Sequence, residues 1–108
     1  MAYDERLAER VRDLLDGHVA VTERKMFGGI AWMVGGNMAC GVLGDELIVR
    51  LGDEGERALE EPHTRPFDFT GRPMTGILMV GSPALEGDAG LRAWVERGVA
   101  FAESLPPK

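Results

Sequence analysis

Apolar residues recur along the chain with two different periods. Over residues 4–16, Leu7, Val11, Leu14 and Leu15 fall at i, i+4, i+7 and i+8, one stripe of a helix, with Ala8 beside it. Asp4 is placed to cap its start, and Gly17 can supply the left-handed residue that ends it. From Val21 onward the pattern changes to short runs broken by glycine. Strands are predicted over 21–26, 30–34, 38–43 and 46–51, joined through Phe27-Gly28-Gly29, Gly35-Gly36-Asn37 and Gly44-Asp45. Connections this short make consecutive strands antiparallel, because a parallel crossover needs about a dozen residues.

The second half is less regular. Residues 53–61 read as a short acidic helix stopped by Pro62, with Ala58 and Leu59 as its packing residues. Residues 62–76 hold Phe67, Phe69 and Met74 among prolines and glycines, so a packed loop with a short strand is expected there. A last strand follows over 77–80. A closing helix over 88–104 carries Leu91, Trp94, Val95, Gly98, Phe101 and Ala102 near helical spacing. Gly98 lies on that apolar stripe, where it permits close backbone contact. The order α-β-β-β-β-α-β(β)-α implies an α+β fold, in which an antiparallel meander of about 5–6 strands carries three helices. At 108 residues the whole chain, 1–108, is expected to form one domain. A sheet covered on one side leaves an edge or face open, which makes room for a homodimer.

Composition narrows the function. With 44% apolar and 28% charged residues the chain has the make-up of a folded domain, and fifteen glycines with six prolines fit its many turns. Twelve basic against eighteen acidic side chains give a net charge of −6, which disfavours a primary grip on nucleic acid or anionic membrane. The longest apolar run, 30–34, is far short of the about twenty residues a membrane span needs. No apolar leader opens the chain, so a soluble, cytoplasmic protein is expected. One cysteine allows no internal disulfide, and one cysteine with two distant histidines gives no readable metal site or cofactor motif.

Candidate chemistry is sparse. Only 17–34 and 62–76 carry a positive balance, through Arg24, Lys25, Arg65 and Arg72. If these segments meet, the four cations form a small site for a phosphate, a carboxylate or an acidic partner. Otherwise they are solvated charges paired with the abundant carboxylates. Phe27-Gly28-Gly29 lacks the pattern of a phosphate loop and reads as a turn between strands. His63 has no nucleophile or carboxylate at a catalytic spacing and reads as a hydrogen-bonding loop residue; His18 reads as structural. Cys40 reads as a small buried hydrophobe, with Arg50 as the nearest cation and expected on the solvent side. The methionines read mainly as core filling. None of these residues makes a catalytic set, so no enzyme is specified.

Several stretches together resemble one family. They are the start Met1 to Asp4 with Arg10-Val11-Arg12, then Glu23-Arg24-Lys25-Met26-Phe27-Gly28-Gly29, Gly36 to Gly41 and Leu47-Ile48-Val49-Arg50. Pro66 to Met74, Trp94 and Leu105-Pro106-Pro107-Lys108 follow in order. Taken together they resemble the N-terminal domain of the TfoX (Sxy) competence regulators. The resemblance implies a curved antiparallel sheet with packed helices. It also implies a non-enzymatic regulatory role, since full-length members act in transcriptional activation of DNA-uptake genes, together with the cyclic-AMP receptor protein. Those members carry a second, helical domain that this chain lacks, so a stand-alone N-terminal domain is expected. The family motif falls on Lys25, Met26, Phe27, Gly28, Gly29, Arg50, Phe69, Gly71 and Met74, either as a shared surface or as shared folding constraints. The leading expectation is an interaction domain with a protein partner. The alternatives are a nucleic-acid-associated regulator using the Arg/Lys patch, and a small-anion-binding domain in which His63 assists.

Overall fold

The computed structural model describes residues 3–18, 20–26, 28–67 and 76–107. The first helix, α1 (Glu5–Leu15), starts where Asp4 Oδ1 accepts from the backbone N–H of Arg6 at 2.9 Å and Leu7 at 3.3 Å. Gly17 follows its end at φ +88°. Leu7, Ala8, Val11 and Leu15 are its buried face. Four strands then run back and forth: β1 (Val21–Met26), β2 (Gly29–Val34), β3 (Asn37–Leu43) and β4 (Glu46–Arg50), each antiparallel to the next.

After β4 the predicted helix over 53–61 is shorter than expected. The chain makes a 3-10 turn, Gly52–Glu54, and one helical turn, α2 (Gly55–Ala58), of which only Gly55 and Ala58 are buried. So narrow an apolar face has little to hold a longer helix. The Thr64 hydroxyl donates to the Glu61 carbonyl at 2.8 Å and lies 3.3 Å from that of Ala58, turning the chain into β5 (Thr64–Pro66). The last strand, β6 (Ile77–Val80), inserts between β4 and β5, giving the order β1-β2-β3-β4-β6-β5 in one antiparallel sheet. A 3-10 turn, Ser82–Leu85, leads into α3 (Asp88–Glu103).

The main core lies between the sheet and the helices. Ile30, Trp32, Val42, Leu47, Val49, Leu78 and Val80 face Leu7, Val11, Leu91, Trp94 and Val95. The register between β2 and β3 shifts after Trp32, which leaves Ala39 as the extra residue of a bulge. Gly98 of α3 sits over it, and a Cβ at that position would meet the Ala39 carbonyl oxygen. The close backbone contact expected at Gly98 is therefore present. Asn37, the one buried polar residue among those described, donates from Nδ2 to the Pro106 carbonyl at 3.0 Å and pins the chain's last turn to the β2–β3 hairpin.

The opposite face of the sheet is also apolar. Ile48, Met79 and Phe67 are buried there, with Met38, Leu43 and Ile77 partly buried around them. The sheet is not bare at its centre on the side away from the helices, which corrects the expectation of a sheet covered on one side only. Among the described residues no helix is long and apolar enough to cross a membrane.

Candidate functional site

Each edge of the sheet carries part of the predicted cationic set. Arg24 and Lys25 lie on β1, one edge, and Arg65 lies on β5, the other. Four strands stand between them. At about 4.8 Å per strand that is on the order of 24 Å along the sheet. Arg65 is ion-paired with Glu46. Arg72 lies outside the described residues, as do Phe27, Phe69, Gly71 and Met74. The structure thus keeps Arg24 and Lys25 together and does not bring Arg65 to them.

The remaining candidates are scattered through the fold. Gly28, at φ +77°, turns the chain between β1 and β2. A Cβ on Gly29 would run into the carbonyl oxygen of Val42 on β3, so that glycine lets two strands close on each other. Arg50 sits at the far end of β4. It is half-buried, with its guanidinium 5.3 Å from the centre of the Phe101 ring, and so is not simply on the solvent side. His63 is exposed at φ +66°, and its carbonyl accepts from Gly81 N–H at 2.7 Å. Cys40 is buried, and desolvation pushes its thiol up to about 12, which removes the thiolate at neutral pH. His18 Nε2 lies 3.1 Å from Glu103 Oε2 and ties the end of α1 to α3.

Sequence reasoning missed the tie at Glu23. Its carboxylate accepts from Arg12 Nε at 2.7 Å, from Arg12 Nη2 at 3.2 Å and from the indole N–H of buried Trp32 at 3.0 Å. The Arg12 bond, with help from Trp32 and Lys25, holds the Glu23 carboxyl below its usual range, against a desolvation that pushes it up. A signal existed in the register, since Glu23 stands opposite Trp32. Nothing in the sequence placed Arg12 beside it.

Two shallow grooves were likewise invisible in the sequence. One, about 350 Å³, lies between α1 and α3 against Asp13, Leu14, His18, Arg92 and Glu96. Another, about 410 Å³, lies beside Asp53, Glu54, Arg97 and Phe101. Both have mixed charge, and neither is lined by a residue of the predicted cationic set or of the family motif. Among the described residues no group of three or more His, Cys, Asp or Glu could hold a metal ion.

What does stand open is β1. Thr22, Glu23, Arg24 and Lys25 are all exposed, and among the described residues the strand has a neighbour on one side only. Ala20 accepts from Gly35 N–H at 3.1 Å toward β2, so ladder alternation turns Thr22 and Arg24 inward and Val21, Glu23 and Lys25 outward. The other edge, β5, is three residues ending in Pro66, which has no N–H to offer.

The sequence motifs that fold into this hairpin and its neighbours match a family model, the TfoX N-terminal domain, over residues 13–102. The chain belongs to the TfoX N-terminal domain family. The match takes in all six strands and nearly all of α3. A search of curated proteins and one of solved structures each returned no match. Within this TfoX-type domain, Gly29 and Arg50 have packing roles, and Lys25 lies on the open edge.

Proposed function

We propose that this TfoX-type domain is a non-enzymatic interaction module, regulatory in the manner its family resemblance implies, which engages a protein partner along β1. The observation that carries the reading is the exposed β1 edge, unpaired among the described residues, with backbone donors and acceptors of Glu23 and Lys25 turned outward. Such an edge binds an extended segment by adding it as a further strand, and the charged side chains select which segment fits. A nucleic-acid role is less well supported, because Arg65 stands on the far edge from Arg24 and Lys25 and the net charge is −6.

The test is capture from the lysate of the protein's own host, with nuclease, comparing the unaltered domain with Lys25→Pro. Proline at an outward-facing edge position removes the donor that an added strand needs and spares the β1–β2 ladder. Proteins retained by the unaltered domain and lost from Lys25→Pro support the reading. Retention that Lys25→Pro does not change contradicts it, and a nuclease-sensitive passenger promotes the nucleic-acid alternative.

A further inference from the structure

The charges on β1 are arranged to complement themselves. Glu23 and Lys25 are two residues apart, so both side chains project from the helix-bearing face, where Glu23 meets Trp32 and Arg12. Arg24 projects from the other face, in register with Ala31. When two identical edge strands pair antiparallel about a two-fold axis perpendicular to the sheet, like faces stay together and one residue sits on the axis. With Glu23 on the axis, Glu23 opposes its own copy. With Lys25 there, Lys25 does. With Arg24 on the axis, Glu23 stands opposite Lys25 of the second copy and Lys25 opposite its Glu23.

We infer that β1 pairs with β1 of a second copy of this chain about an axis through Arg24, joining two six-stranded sheets into one. This rests on the reading of β1 as the interaction edge and names its occupant. In this register the residues that exchange backbone hydrogen bonds are Glu23 and Lys25, the same ones whose N–H and C=O groups are turned outward. Charge on an edge strand repels most other strands. It does not repel a strand whose charges are its complement, so the same side chains that block promiscuous pairing select this one. Arg24 against Arg24 is the single like-charge pair, and it limits the affinity.

The test is light scattering on the purified full chain across a concentration series reaching about 100 µM, a range in which modest interfaces associate. A mass approaching twice the 11.7 kDa of the chain is expected at the upper end. Lys25→Glu turns both attractive pairs into Glu–Glu pairs and should weaken the dimer by about tenfold or more. Arg24→Thr removes the repulsive pair and should tighten it by about threefold. Mixing Lys25→Glu chains with Glu23→Lys chains should give a mixed dimer from two chains that do not pair alone. Glu23 also holds Arg12 and Trp32, so Glu23→Lys can weaken the fold, and the first two variants suffice without it. A monomer throughout the series, or a dimer that Lys25→Glu leaves unchanged, overturns the inference. If the chain is monomeric while Lys25→Pro still abolishes capture of another protein, only self-pairing fails and the reading of the edge stands. If Lys25→Pro changes neither association nor capture, both fail.

Discussion

Glu23 does two jobs at one position. Its carboxylate joins α1 to β1 through Arg12 and satisfies the indole N–H of buried Trp32, while its backbone faces outward on the open edge. Both charged partners are about two-fifths exposed, so solvent screening keeps the ion pair worth less than about 1 kcal/mol. Glu23 titrates lower when folded than when unfolded. Its contribution is therefore present above the unfolded value of about 4.3 and is lost as pH falls through the folded value. Glu23→Gln should lower unfolding stability at pH 7 by up to about 1 kcal/mol, with the gap to the unaltered protein closing below about pH 4. Urea titrations at both pH values check this. A gap that stays constant with pH would mean that the charge of Glu23 is not what stabilises.

The same scale explains why this tie was hidden in the sequence. A glutamate among Thr22, Arg24 and Lys25 reads as one more solvated charge. Only the folded chain shows that the tryptophan opposite it needs an acceptor and that α1 delivers an arginine.

Among the elements, the contact of α3 with the bulge in β3 sets how closely helix and sheet approach. In an open helix Gly98→Ala would stabilise by about 1 kcal/mol, through helix propensity. Here the added methyl would meet the Ala39 carbonyl oxygen, and the helix has to move off the sheet to admit it. Gly98→Ala should therefore destabilise, by about 1–3 kcal/mol. Thermal unfolding decides the sign, and a raised midpoint would show that the contact is looser than described. The four-strand meander and both long helices were legible, because glycine-punctuated runs and a 3.6-residue stripe are local signals. The place of β6 between β4 and β5 was not, since it depends on pairing across an irregular stretch. The helix over 53–61 is shorter than its acidic residues suggest, because within it only Gly55 and Ala58 are buried, with Leu59 partly buried against the core just past the end of α2.

At the scale of the whole molecule, topology decides what the charges can do. The residues Arg24, Lys25 and Arg65 look like one set along the sequence, and strand order sends them to opposite edges. No property of either segment foretold that. The open edge follows from the same order: β5 is short and proline-ended, whereas β1 is six residues long and exposed through its middle. The central claim is that β1 is where this domain meets its partner, and hydrogen exchange of its backbone amides tests that most directly. In dilute protein the Glu23 and Lys25 amides should exchange fast, since their N–H groups face outward, while the Thr22 and Arg24 amides bonded to β2 are protected. In the associated state, whether a dimer at high concentration or a captured complex, the Glu23 and Lys25 amides should become protected. If both still exchange fast in a complex that has demonstrably formed, β1 is not the contact, and the account is contradicted.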